Sequence, residues 1–339
     1  MSEDNWGLLG NEWAVNILRR HIEQDSVRHA YLFNGPPGIG RRSLALRFAQ
    51  ALNCPNAPTP GEACRTCRTC KQIERMEYAD LAVLQAESET GVIKVEQVRA
   101  IQPSLSLSPY QGRYRLALFL HFQQANPNAA NALLKTLEEA PAQVILMLTA
   151  DSPDSLLPTI VSRCEGLRLR PLPLKTIENH LRTLGAEAGN ARLLAHLSGG
   201  RPGYTMRLFT SPEIVEERTR WLDDLTELLA SNRVKRFGYA EKVSKIKDNP
   251  RLMMGKVLET WSSYWRDVLL TCSSSGLPLT HIDRTREIEN LAEKVSLTHS
   301  RRLLADIETA INRLEKNVNA RLLMEVLLLD WPVLKPGWK

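Results

Sequence analysis

The sequence contains no apolar run approaching the length that crosses a bilayer, no internal repeat and no low-complexity tract. Its start, Met1-Ser2-Glu3-Asp4-Asn5, is acidic and polar, unlike the basic and then apolar start of a signal peptide. A cytoplasmic protein without a membrane partner is therefore expected. In such a compartment thiols stay reduced, so cysteines call for an explanation other than disulfides.

Two further absences are local and chemical. Residues Gly35-Pro36-Pro37-Gly38-Ile39-Gly40-Arg41-Arg42-Ser43 follow the phosphate-cradling template G-x-x-x-x-G-K-[ST], with Arg41 in place of lysine and Arg42 in place of the hydroxyl that ligates magnesium. Moving the frame to use Ser43 fails, because position 41 would then have to be glycine. The surroundings still suit the motif. Ala30–Asn34 reads as a buried strand, and Leu44, Ala45, Phe48, Ala51 and Leu52 recur at helical spacing after the loop. Gly35, Gly38 and Gly40 would let backbone N–H groups converge at a helix N-terminus, with Arg41 and Arg42 beside them. Arginine keeps the charge but not the geometry of an ammonium, and Arg42 cannot hold a metal. Weak phosphate binding and a purely structural turn both stay open for this loop; turnover is not expected. The second absence lies at the end of the strand Leu116–Leu120, where a P-loop ATPase carries an acidic magnesium ligand. Here the chain reads Leu120-His121, with no carboxylate before Glu138.

What is present is a chain of 339 residues, long enough for two or three domains, with 43% apolar and 24% charged residues as in an ordinary soluble globular protein. Its net charge of +6 is compatible with nucleic acid nearby but does not require it. Strands are expected also at Leu81–Leu84, Val144–Thr149 and Leu167–Leu169. A helix with Asn126 as N-cap, Pro127 in its first turn and Ala130, Leu133, Leu134 and Leu137 on one face should end before Pro141. Strands alternating with helices predict a mostly parallel sheet covered on both faces. After about Leu172 the strand pattern disappears. Pro171 and Pro173 mark a boundary, short helices run to Leu197, and Gly199-Gly200-Arg201-Pro202-Gly203 reads as a turn. Long amphipathic helices follow, one from Asn249-Pro250 towards Leu270 and one over Thr298–Lys316, with a loop at Ser273–Gly276.

Cys54, Cys64, Cys67 and Cys70 fall within seventeen residues with spacing C-x9-C-x2-C-x2-C. Four thiolates suit a closed, structural Zn²⁺ site, whose net charge of −2 the neighbouring Arg65, Arg68 and Lys71 would offset. An iron–sulfur cluster is the competing reading, weakened because no fourth cysteine and proline follow nearby after Cys70. Ser162-Arg163-Cys164 ends a short helix opened by Pro158. After the strand Val144–Thr149, an arginine there has the placement to reach another subunit's γ-phosphate as an arginine finger. The run Arg233, Lys235, Arg236, Lys242, Lys245 and Lys247, with Phe237 and Tyr239 between, reads as a solvated helix face rather than a nucleic-acid patch. His29 and His121 show no metal or acid–base pattern, and Cys272 reads as a buried helix residue.

These pieces in this order resemble the clamp-loader branch of the AAA+ ATPases, the family of the bacterial DNA polymerase III delta-prime, gamma and tau subunits. The resemblance is carried by His29-Ala30-Tyr31-Leu32-Phe33, Gly35 to Gly40, the four cysteines, the highly specific run Asn131-Ala132-Leu133-Leu134-Lys135-Thr136-Leu137-Glu138-Glu139, and Ser162-Arg163-Cys164. It implies an α/β then all-α chain: an AAA+ parallel-sheet domain over 1–170 with a zinc module at 54–70, a helical lid over 171–211, and a helical collar for oligomerisation over 212–339. Gamma- and tau-like chains would carry a lysine–threonine pair and an aspartate–glutamate pair where this one has Arg41, Arg42, Leu120 and His121. The sensor arginine expected after the lid glycines falls at Pro202, with Arg201 one place early. These departures point to the delta-prime side of the family. The resemblance then implies a subunit without ATP hydrolysis of its own, working with gamma/tau and delta subunits to place the beta sliding clamp on primed DNA. Arg163 would be the finger offered to a neighbouring ATPase, and Cys54, Cys64, Cys67 and Cys70 the zinc ligands. The alternatives are an active ATPase with Arg41 replacing the lysine, and a zinc-containing DNA-binding protein that uses the same shape as scaffold.

Overall fold

The computed structural model describes residues 5–88, 91–139, 141–246, 249–314 and 318–335. Lys247 of the basic run and the last two residues of the expected helix Thr298–Lys316 lie outside them. The chain forms two compact units, one of residues up to Leu172 together with Arg201–Tyr204, the other of Pro173–Gly200 and Thr205 onward.

The first unit runs α1 (Glu12–Glu23), β1 (Ala30–Asn34), α2 (Arg41–Asn53), α3 (Arg68–Glu74), β2 (Leu81–Leu84), α4 (Val95–Leu105), β3 (Arg115–Phe119), α5 (Pro127–Glu138), β4 (Val144–Ala150), α6 (Pro158–Val161) and β5 (Glu165–Arg168). The five strands pair in parallel in the order β2-β3-β4-β1-β5. The inner strands are continuous apolar runs because both sheet faces are covered. Tyr31, Phe33, Leu118, Ile145 and Met147 belong to the core shared with Leu18, Leu44 and Phe48, while Leu32, Phe119, Leu146 and Leu148 belong to the one shared with Val98, Leu133 and Ile160. The edge strand β5 buries only Leu167 of its four residues, and Leu169 just beyond it. Its Glu165 and Arg168, with Gly166 bearing no side chain, explain why the apolar pattern placed that strand at Leu167–Leu169, two residues late. On α5, the Asn126 side chain accepts from Ala129 N at 2.8 Å and Pro127 occupies the first helical position, as the residues predicted.

The second unit is helical: α7 (Leu174–Thr183), α8 (Ala188–Ser198), α9 (Pro202–Thr210, of which Pro202, Gly203 and Tyr204 belong to the first unit), α10 (Pro212–Leu229), α11 (Arg233–Ser244), α12 (Pro250–Cys272), α13 (Thr285–Lys294), α14 (Leu297–Leu314) and α15 (Ala320–Leu329). The α/β then all-α architecture expected from the sequence, with a parallel-sheet domain leading, is the one adopted. The turn expected over Gly199–Gly203 is shorter than that, because Pro202 already begins α9; proline suits a first helical turn, where its missing N–H costs nothing. On α12, Met254, Val257, Leu258, Trp261, Trp265 and Val268 keep a helical period and fill the core with Leu303, Ile307 and Trp331. Cys272 closes α12, only partly buried.

One residue of the basic run departs from the solvated-face reading. Arg236 is 2% exposed and donates to the carbonyls of Leu228, Leu328, Trp331 and Pro332 at 2.7–3.0 Å. It satisfies carbonyls at the C-terminal turns of α10 and α15, a place where a cation is favoured. A one-dimensional charge pattern cannot tell such an arginine from its solvated neighbours. On α15, Leu323, Met324, Leu327 and Leu328 face the core, while Leu322, Val326 and Leu329 form an exposed apolar stripe.

Candidate functional site

β1 lies between β4 and β5, so the loop leaving its carboxyl end sits where the connections diverge, the usual place for a ligand site in a parallel sheet. Gly35, Gly38 and Gly40 have φ of +145°, +78° and +107°, values that strain any residue with a Cβ. Gly40 is the N-cap of α2. Gly38 is also hemmed in by Tyr204, whose amide donates to the Gly38 carbonyl at 3.0 Å; a Cβ on Gly38 would stand 2.7 Å from that of Tyr204. Arg201 donates to the Pro37 carbonyl at 3.3 Å and stacks its guanidinium 4.6 Å from the Tyr204 ring centre.

The register pairs Asn34 with Ala150, and Gly35 N donates to Ala150 O, so Asp151 leaves β4 beside the glycine loop. There it takes Arg41. The Arg41 Nη1 lies 2.5 Å from Asp151 Oδ1, with the arginine side chain 5% exposed and the aspartate 42%. Arg42 is exposed. At the end of β3, Leu120 is buried with its amide on Leu84 O. His121 adopts φ +51° and donates its own amide to Thr149 Oγ1 at 2.8 Å. The residues where a hydrolytic site would carry its cation and its acids thus hold an internally neutralised arginine, an aliphatic side chain and an imidazole. Sequence reasoning missed Asp151. The signal was its position directly after the apolar run Val144–Ala150, because the carboxyl ends of parallel strands gather on one edge.

The four clustered cysteines come together. Their Sγ atoms all lie within 4.8 Å of one another, and those of Cys54 and Cys64 are 3.5 Å apart. A tetrahedral ion bound at about 2.3 Å sets its sulfurs roughly 3.8 Å apart, so small closure about an ion completes the site. Cys54 follows the last residue of α2, Cys67 caps α3 and Cys70 lies in its first turn. Backbone amides of Cys64, Cys67 and Cys70 donate to the sulfurs of Cys54, Cys64 and Cys67 at 3.3–3.4 Å. Amides of Thr66 and Cys67 draw the Cys64 thiol down to about 6, whereas burial pushes Cys54 and Cys70 up. A cation is what would ionise the latter pair. These four residues can hold a metal ion. The loop that carries them is tied down by Trp6 Nε1 on Gly61 O at 3.0 Å, by Arg19 on Glu62, and by Gln50 on Cys70 O.

Arg163 follows α6 and lies at the surface, its side chain 37% exposed. It donates to Thr159 O at 3.0 Å and to Glu138 Oε1 at 2.6 Å. It lies apart from Arg41 in its contacts: Arg41 faces the end of β4, Arg163 the ends of α5 and α6. His29 is exposed. None of the helices is long and apolar enough to cross a membrane among the described residues.

The sequence matches two family models, "DNA polymerase III, delta subunit" over residues 10–173 and "DNA polymerase III, delta subunit, C terminal" over residues 215–332. It is 32% identical over 320 residues to the DNA polymerase III subunit delta′ of Bacillus subtilis, covering 93% of this chain and 94% of that one. It is 33% identical over 317 residues to the delta′ subunit of Pseudomonas aeruginosa, covering 91% and 93%. A DNA polymerase III subunit tau/gamma of Haemophilus influenzae is 36% identical over 174 residues, 51% of this chain and 25% of that protein. With both halves matched, and with delta′ relatives 32–33% identical over more than nine-tenths of both chains, the chain belongs to the DNA polymerase III delta′ subunit family.

Proposed function

We propose that this chain is a non-hydrolysing member of a DNA polymerase III clamp loader that completes the ATPase site of a neighbouring gamma/tau subunit. The observation that carries the reading is the closed Arg41–Asp151 pair beside the glycine loop, set against an Arg163 left at the surface. Arg41 is buried, 5% exposed, and paired to Asp151, so its guanidinium is withdrawn from a phosphate above the loop, whereas Arg163 meets its carboxylate at the surface with a side chain 37% exposed. Leu120 and His121 supply no magnesium ligand. Arg163, by contrast, keeps its charge where a partner can meet it. An arginine finger acting in trans is worth roughly 10³–10⁵ in rate, enough to account for a subunit that contributes nothing else to the chemistry.

In this reading residues 1–170 form the AAA+ domain, 171–211 the lid and 212–339 the collar, where the stripe Leu322, Val326 and Leu329 on α15 would be covered by a neighbouring collar helix. Zn²⁺ at Cys54, Cys64, Cys67 and Cys70 holds the loop after α2 in one shape and takes no part in turnover. The partners are gamma/tau and delta subunits and, through the ring, the beta sliding clamp and primed DNA. The work is cytoplasmic, as replication of a bacterial chromosome requires. The chain alone should neither hydrolyse ATP nor show Mg²⁺-dependent turnover that Arg41→Ala abolishes; that activity would establish the opposite reading, an ATPase with arginine in the lysine's place. In a ring rebuilt with gamma/tau and delta subunits, Arg163→Ala should assemble normally and lower ATPase stimulated by DNA and clamp. An unchanged rate would remove the finger role.

A further inference from the structure

We infer that Glu138 is a positioning residue for the Arg163 guanidinium, an inference that rests on the finger reading above. Arg163 is strapped between two separate elements: Nη2 donates to the carboxylate of Glu138 at the last residue of α5, and Nη1 donates to the Thr159 carbonyl in α6. Two acceptors on different helices fix both the location and the plane of the guanidinium. Of the five N–H groups it carries, two are used, and five less two leaves three for a phosphoryl group.

Stability does not explain the pair. With side chains 37% and 51% exposed, an ion pair of this kind adds little to folding. Its position at the carboxyl end of α5 is also one where a carboxylate is disfavoured by the helix dipole and an arginine is favoured. The arrangement makes sense as order: a long, rotamer-rich side chain is held in one direction before any partner arrives, and a group aimed in advance does not have to be ordered in the transition state.

The rebuilt clamp-loader ring, with ATPase measured in the presence of primed DNA and clamp, tests this. Glu138→Ala should lower turnover on the order of tenfold with KM for ATP unchanged, as loss of an interaction made only in the transition state does. Glu138→Gln, which keeps an acceptor for Nη2, should recover most of the rate, and Glu138→Asp, withdrawn by one methylene, should fall between. In an Arg163→Ala background Glu138→Ala should do nothing further. Assembly is followed by gel filtration, and the two side chains are 37% and 51% exposed, so folding is expected to persist in both variants. A wild-type or faster rate for Glu138→Ala beside a slow Arg163→Ala would overturn the positioning role while leaving the finger in place. Additive losses in the double variant would overturn it too. A wild-type rate for Arg163→Ala would instead remove the finger reading itself.

Discussion

The Arg41–Asp151 pair is asymmetric, and the asymmetry is measurable. Arg41 is buried and Asp151 is nearly half exposed, at an N–O distance of 2.5 Å. Asp151→Ala strands a desolvated guanidinium. Removing one member of a fully buried pair costs about 3–5 kcal/mol, and since this pair opens to solvent on the aspartate side, about 2–3 kcal/mol is the working figure. Arg41→Met keeps the apolar stem against its neighbours and leaves a carboxylate that already sees water, at about 1 kcal/mol. The double variant should resemble Arg41→Met alone, because the stranded charge is gone. The chain forms two compact units, so a single global midpoint is a poor probe. Amide exchange of the β1 and β4 peptides reads the affected unit directly. Equal penalties, or a larger one for Arg41→Met, would refute the ordering. A gain in protection of the first turn of α2 with about 1 mM Mg-ATP that Arg41→Met removes would refute the closed pair instead, since Arg41 would then be leaving Asp151 for a phosphate.

The sheet and the glycine loop were legible because parallel strands buried on both faces are runs of apolar residues, and because a left-handed backbone calls for glycine at Gly35, Gly38 and Gly40. The α5 cap was legible because Asn126 and Pro127 act within one turn. The cysteine cluster declared itself by spacing alone. Pairings set by strand order were not legible. Arg41 and Asp151 are 110 residues apart, and only the β1–β4 register brings their loops together. The partner of Arg163 was in plain view inside the family run Asn131–Glu139, yet nothing in the order of residues says that the end of α5 meets the end of α6. Arg236 was misread for a related reason. Its helical neighbours are solvated lysines and an arginine, and its own acceptors come from carbonyls as far as Pro332, which carry no side-chain signature.

Two further predictions concern the other built features. Metal analysis should find about one zinc per chain, lost with Cys70→Ser or a strong chelator. Because Trp6 is anchored on Gly61 O, that loss should shift tryptophan emission while the parallel sheet persists; a brown, iron-containing preparation would defeat the zinc assignment. The second prediction is a pH dependence in the helical unit. His281 is 2% exposed, takes Arg218 on Nδ1 and places Nε2 2.7 Å from Ser263 Oγ, while its amide and that of Thr280 donate to buried Asp267. Nδ1 must be an acceptor, so Nε2 carries the proton and this Ser–His contact is no catalytic base. Burial, with Arg218 beside it, presses His281 down to about 3, whereas in the unfolded chain it titrates near 6.5. Between those values the unfolded chain binds the extra proton, so stability rises with pH across the window, is complete above about 6.5, and is lost as pH falls towards 3, at up to about 1.4 kcal/mol per pH unit. Asp283, held low by its hydrogen bonds and by Arg218, loses stability in the same direction on acidification, whereas Asp267, raised by burial, opposes it. The comparison that isolates the imidazole is therefore wild type against His281→Gln, by urea unfolding followed through Trp261, Trp265 and Trp331. The wild-type slope between pH 6.5 and 4 should exceed that of the variant, and parallel slopes would mean that His281 is not held neutral by its surroundings.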